Sequence, residues 1–189
     1  MKYKKIVNTI AIAKELMNKQ VKNGTIALDC TVGNGNDTLL LSNLVGDNGK
    51  VYGFDVQEIA IKNTYDLLKE HNLTSRVKLI NDSHVYIDKY IKEKVDLVVY
   101  NLGYLPRGNK AIKTNRDSTL LSVQKSLEIL NSNGLMIITV YIGHAGGLEE
   151  KEGVEKYLRT LNQKEYNVLK FDFINQINNP PILYCVEKC

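Results

Sequence analysis

Five short apolar runs, each stopped by a small or polar residue and each followed by a helical pattern, constrain this chain more than any other feature. They read GTIALD, KVYGFD, RVKLIN, VDLVVYN and GLMIITVY, and their Val, Ile and Tyr content between Gly, Asn and Asp punctuation is that of strands. The helical patterns fall on Asn36 to Val45, Gln57 to His71, Ser83 to Lys92 and Asn115 to Asn131, with a further one from Gly147 to Asn162. Strands buried on both faces and joined by helical crossovers make a mostly parallel, doubly wound α/β sheet. The last thirty residues break this rhythm. NVLKFDFINQ and ILYCVEK flank NNPP, a link too short for a helical crossover, so these two strands must pair antiparallel. The expected sheet therefore has seven strands, mostly parallel, with a C-terminal antiparallel hairpin.

No linker, repeat or charge block divides the 189 residues, of which 43% are hydrophobic. One compact domain over residues 1–189 is expected, burying about 70% of the surface of its unfolded chain. The net charge of +4 is too small to mark a nucleic-acid binder by itself, but it tolerates a polyanion where cations cluster. Three cysteines without CxxC spacing argue against a disulfide framework or zinc ribbon, and for a reducing, cytoplasmic setting. The opening MKYKKIVNTIAIAKELMNKQ is basic and then partly apolar, interrupted by Asn8, Thr9, Lys14 and Glu15. It fits an amphipathic first helix better than a signal peptide or membrane span.

The turn LDCTVGNGNDTLL, Leu28 to Leu40, places Asp29 at a strand end with Gly33 and Gly35 behind it. A dinucleotide-binding turn needs a third glycine, where this chain has Thr38. A dinucleotide also brings phosphates, which favour amides and a helix N-terminus. S-adenosylmethionine brings a sulfonium and an α-ammonium, which favour a carboxylate. The Asp-x-x-x-Gly-x-Gly spacing and the terminal hairpin both resemble the class I S-adenosylmethionine-dependent methyltransferase fold, although Asp29 could equally cap the turn. Asp55 ends the second strand, where it suits ribose hydroxyls or caps the next helix. In NDSH, Asn81 to His84, Asp82 and Ser83 could hydrogen-bond an adenine or cap the helix that follows.

The fourth strand runs into Asn101, Leu102, Gly103 and Tyr104 at the sheet edge where ligands of open α/β sheets bind. This resembles the (Asp/Asn)-Pro-Pro-(Tyr/Phe) motif of amine-directed methyltransferases, with both prolines replaced. In such a motif a side-chain carbonyl accepts the amine N–H and an aromatic ring stacks on the base. Asn101 can position an amine but cannot take its proton, and His144 and Tyr104 are both candidates for that. His144 lies in TVYIGHAGG, Thr139 to Gly147, at the same sheet edge. Arg107, Lys110, Lys113 and Arg116 follow Tyr104 without an acidic residue between them. That run is either a solvated loop or a set of phosphate contacts, which Lys2, Lys4 and Lys5 could extend.

Together LDCTVGNGNDT, NDSH, NLGYLPRGNK, YIGHAGG and the late NPP resemble a bacterial family once labelled putative rRNA methylase. Its characterised members are the MnmM-type tRNA wobble-uridine methyltransferases, which methylate the exocyclic amine of 5-aminomethyl-2-thiouridine at position 34. The resemblance covers essentially the whole chain. It implies S-adenosylmethionine bound around Asn34, Gly35, Asn36, Asp37, Thr38, Asp55, Gln57, Ser83 and His84. The nucleoside would lie near Asn101, Tyr104, Tyr141 and His144, with Leu102, Gly103, Arg107 and Lys110 toward the RNA. The expected partner is a tRNA anticodon loop, whose splayed bases stack on aromatics, and no metal is needed. Competing readings are a methyltransferase acting on rRNA or a small amine, and a non-catalytic cofactor- or RNA-binding module. Thr38 and the hairpin oppose nicotinamide chemistry.

Overall fold

The computed structural model describes residues 4, 6–106, 108–109 and 111–189. Its sheet has seven strands in the order β3-β2-β1-β4-β5-β7-β6. β1 (Ile26–Asp29), β2 (Lys50–Phe54), β3 (Val77–Ile80), β4 (Val95–Leu102) and β5 (Leu130–Val140) are parallel. β7 (Ile182–Lys188) runs antiparallel between β5 and β6 (Tyr166–Phe171), as expected of the class I methyltransferase fold. The chain steps outward from β1 to β2 and β3, then crosses back to lay β4 on the other side of β1. That reversal opens a crevice beyond the carboxyl ends of β1 and β4.

Period-two alternation explains the two cores. Along β4, Val98, Tyr100 and Leu102 join one apolar cluster with Val123, Leu127, Val154 and Leu158 from α5 (Arg116–Ile129) and α6 (Gly147–Leu158). Leu97 and Val99 point the other way, into a cluster with Ala13 and Met17 of α1 (Thr9–Gln20) and Leu41 of α2 (Asn36–Leu44). Burial on both faces is why β4 reads as an unbroken apolar run. The Tyr100 hydroxyl, deep in this core, is satisfied by Ser122 Oγ at 2.7 Å and Ser126 Oγ at 2.8 Å, which fastens β4 to α5. Among the described residues no helix is long and apolar enough to cross a membrane.

Several element boundaries differ from the sequence expectation. The helix expected over Ser83 to Lys92 is instead a 3-10 turn, His84–Tyr86, followed by the short α4 (Ile87–Tyr90). The Tyr90 hydroxyl reaches back to Asp82 Oδ2 at 2.7 Å while Ile87 and Ile91 insert into the core, so the segment coils tightly instead of extending. α5 stops at Ile129 and β5 begins at Leu130 rather than Gly134. Left-handed Asn133 (φ 60°) and the Asn131–Asp96 hydrogen bond of 2.7 Å accommodate the shift in register there. α6 ends at Leu158, before the expected Asn162, where the chain turns through Leu161 N to Leu158 O. β6 ends at Phe171, because Ile174 and Ile177 beyond it are 98% and 91% exposed and meet no layer to pack on.

Candidate active site

The turn after β1 is built from the inside out. Asp29 is fully buried; its Oδ1 accepts from Thr31 N at 3.1 Å and its Oδ2 from Thr38 Oγ1 at 2.7 Å. Burial, with Asp37 nearby, pushes its carboxyl up to about 7. Gly35 starts α2 at φ +77°, and a Cβ there would lie 2.6 Å from Thr64 Oγ1 of α3 (Glu58–Glu70). Only glycine lets the two helices approach this closely at that angle. Asp29, Gly35 and Thr38 therefore sit behind the turn and do not line the crevice, contrary to the expectation of direct ligand contact. A tight strand-to-helix turn must hide the groups that staple it. Gly33, Asn34, Asn36 and Asp37 occupy the open side of the turn and line a cleft of about 640 Å³.

On the β2–β3 side of this cleft, Asp55 accepts from Gly33 N and Gln57 N, each at 2.9 Å. Burial raises its carboxyl above the usual range, against the backbone amides that it accepts from. Gln57 lines the cleft and also reaches the opposite loop, its Oε1 accepting from Asn109 N at 3.3 Å. Asp82 and Ser83 line it too, while serving as caps: Asp82 Oδ1 accepts from Ser83 N at 2.8 Å and Ser83 Oγ from Val85 N at 3.3 Å. The Tyr90 hydroxyl and that amide hold Asp82 below the usual carboxylate range. His84 is 8% exposed and stands edge-on to Tyr100 with ring centroids 5.9 Å apart. Burial pushes its imidazole down to about 4, so it is neutral near pH 7. Its Nδ1 is buried without a hydrogen-bond partner, a cost that a ligand atom in the cleft would relieve.

On the β4–β5 side, Asn101 is clamped twice. Its backbone N donates to Thr31 Oγ1 at 2.7 Å, and its Nδ2 donates to Asp37 Oδ2 at 2.6 Å. A carboxylate only accepts, so Asp37 fixes which end of the amide is which. The Asn101 carbonyl oxygen is thereby held as an acceptor. Leu102, expected to meet the substrate, is fully buried in the core and does not line the cleft, because alternation turns it away from its neighbours' face. Gly103, Tyr104, Tyr141 and His144 do line it. Tyr104 pairs with Lys113 in an isolated antiparallel bridge, and its ring meets that of His144 edge-on at 5.9 Å and 85°. His144 Nδ1 lies 3.2 Å from Ala145 O, a carbonyl that only accepts, so Nδ1 carries an N–H; Nε2 is buried and without a partner. Burial and the charge of Asp37 raise the half-buried Tyr141 hydroxyl above its ordinary range.

Of the expected RNA contacts, Arg107 and Lys110 lie outside the described residues, as do Lys2 and Lys5. Lys113 lines the cleft, but its Nζ is committed to Ala145 O at 2.5 Å. Arg116 packs along α6 at Gly153, where a Cβ would come within 2.8 Å of its Cγ. Ile10 and Lys14 of α1 and Ile112 also line the cleft, and no motif in the sequence marks them; Asn179 from the β6–β7 connection lines it too, and it is the first residue of the late NPP string, to which the sequence reading gave no role in the site. Amphipathy in the first helix signals packing only. Among the described residues no group of three or more His, Cys, Asp or Glu side chains is arranged to hold a metal ion.

A family model described as "Putative rRNA methylase" matches residues 51–187. The chloroplastic tRNA (mnm(5)s(2)U34)-methyltransferase of Arabidopsis thaliana is 35% identical over 187 residues, spanning 94% of this chain and 68% of that protein. A solved structure described as a putative rRNA-methylase from Clostridium thermocellum superposes with a TM-score of 0.95 at 43% identity, covering 100% of both chains. SMU.1697c, described as a putative methyltransferase from Streptococcus mutans and solved in complex with SAH, gives a TM-score of 0.87 at 38% identity, covering 95% of this chain and 97% of that one.

Proposed function

The chain belongs to the family described as putative rRNA methylase and is an S-adenosylmethionine-dependent methyltransferase; from that premise, we propose that it methylates tRNA at the exocyclic amine of wobble 5-aminomethyl-2-thiouridine, giving the 5-methylaminomethyl form. The observation that carries this reading is the clamped amide. Asp37 and Thr31 fix Asn101 at the cleft wall with its carbonyl oxygen presented, beside Tyr104, Tyr141 and His144. An acceptor beside aromatic rings suits an amine borne on a planar base. The Arabidopsis thaliana relative, a tRNA (mnm(5)s(2)U34)-methyltransferase, supports the same nucleoside.

The residues fit the cofactor. Gly33, Asn34 and Asn36 would hold its methionine portion, Asp55 its ribose hydroxyls, and Ser83 with the partnerless Nδ1 of His84 its adenine. S-adenosylmethionine supplies a methyl group on a sulfonium, which needs only an in-line neutral amine to accept it. This chain's part is to make that amine neutral and aim it. Asn101 Oδ1 accepts an amine N–H and directs the lone pair. The partnerless Nε2 of His144 takes the proton that the amine releases. Tyr104 and Tyr141 flank the base.

The test is to incubate the protein with tritiated S-adenosylmethionine and bulk tRNA from a strain lacking the enzyme, then digest to nucleosides. Label in 5-methylaminomethyl-2-thiouridine, lost with Asn101→Ala, is the expected result. Label confined to rRNA fragments or to another nucleoside would overturn the assignment.

A further inference from the structure

Glu150 takes no part in the chemistry above and does not line the cleft, yet it is fully buried in α6. A buried carboxylate is tolerated only where donors converge on it. Two hydroxyls do so here: Thr114 Oγ1 donates to Oε2 at 2.8 Å and Thr119 Oγ1 to Oε1 at 2.5 Å. Both donors have structural consequences. Thr114 closes the segment that begins at Gly103, its N donating to Gly103 O at 2.9 Å. Thr119 sits fully buried near the start of α5. On the same residue, Glu150 N donates to Gly146 O at 2.9 Å, closing the first turn of α6 just after the His144 loop. Lys113 adds a parallel tie to that loop through Ala145 O.

One carboxylate thus joins three segments that are distant in sequence: the turn carrying Tyr104, the head of α5, and the helix that follows His144. An apolar side chain would fill this space at less desolvation cost. It would not fix the direction of two hydroxyls, and through them the carbonyl of Gly103. We propose that Glu150 is a positioning residue: it holds the 103–114 segment against the His144 loop and so keeps Tyr104 and His144 in their edge-to-face contact beside Asn101. This rests on the proposed function only in taking that end of the cleft for the substrate.

The experiment compares Glu150→Ala, Glu150→Gln, Thr114→Val and Thr114→Ser with the unaltered protein. Amide hydrogen exchange across 103–114 is read by mass spectrometry, S-adenosylhomocysteine affinity by calorimetry, and kcat and KM on tRNA. For Glu150→Ala we expect exchange at least tenfold faster in that segment and kcat/KM lower by about 10- to 100-fold, the span of one lost charge-assisted bond. S-adenosylhomocysteine affinity should stay within about twofold. Glu150→Gln, which keeps one acceptor, should recover most of the loss, and Thr114→Ser should behave as the unaltered protein. Unchanged exchange and turnover in Glu150→Ala, or cofactor affinity falling in step with turnover, would overturn the proposal. Should Glu150→Ala not fold, Thr114→Val is read in the same three ways, and the same outcomes support or overturn the brace. Exchange requires no RNA, so inactivity of the unaltered protein on tRNA would sink the proposed function while leaving the brace to be judged by itself.

Discussion

If Asp37 acts through Asn101, the two residues must be energetically coupled, and the structure sets the size of the coupling. The bond between Asp37 Oδ2 and Asn101 Nδ2 is short at 2.6 Å and half-buried. A hydrogen bond to a charged group contributes about 1.5–3 kcal/mol. Asp37→Ala should therefore lower kcat/KM by about 10- to 100-fold, because the Asn101 amide becomes free to rotate and present its NH2 end to the amine. Asp37→Asn retains an acceptor of the same shape but without charge, worth about 0.5–1.5 kcal/mol, so it should lose less than Asp37→Ala. The decisive assay is a double-mutant cycle in single-turnover methylation. In an Asn101→Ala background, Asp37→Ala should cost little more, since the group it orients is gone. Fully additive losses would refute the coupling. A fall in S-adenosylhomocysteine affinity that matched the activity loss would instead make Asp37 a cofactor ligand, as the sequence alone suggests.

Gly35→Ala should destabilise the protein by about 1–3 kcal/mol, from left-handed strain and overpacking, seen as a lower Tm; Thr64→Ala, which shortens the opposing side chain, should restore part of it. Stability as a function of pH tests Asp29. Its folded pKa is raised, to about 7, so its contribution is fullest below about pH 4 and declines as pH rises toward 7. His84 acts oppositely, since its lowered pKa makes stability rise with pH over the interval from about 4 to 6.5. Urea unfolding of Asp29→Asn beside the unaltered protein isolates the first effect: the variant should gain stability relative to the parent as pH rises from about 4 to about 7, and a constant difference across that interval would refute the buried, proton-holding Asp29. By NMR the His84 ring should show no titration between about pH 5.5 and pH 8; a midpoint near 6.5 would contradict its burial.

The parallel strands are legible in the sequence because β4 and β5 are buried on both faces, which leaves continuous apolar runs, and the terminal hairpin because NNPP leaves no length for a crossover. Boundaries are less readable where tertiary contacts override local pattern. Nothing local in Ser83 to Lys92 announces that Tyr90 will turn back to Asp82. In the site, the glycine turn marks the right place, but the spacing of Asp29, Gly35 and Thr38 is the same whether they face a ligand or staple the turn from behind. Only the Thr64 contact and the Asp29–Thr38 bond decide between those readings. The Asp37–Asn101 pair, separated by 64 positions, has no sequence signature at all.

The two sides of the cleft are assembled differently, and the reason bears on specificity. The β2–β3 side is made by short turns at the ends of consecutive strands, so its polar residues sit close together in sequence and can be recognised as motifs. The β4–β5 side is assembled from α1, the 103–114 segment, the His144 loop and the β6–β7 connection, which meet only in the folded chain. Loops on a rigid scaffold can change without disturbing the core. A chain built this way can therefore keep its methyl donor fixed while exchanging what it methylates, so family membership gives the donor and leaves the acceptor to be argued from Asn101 and its neighbours.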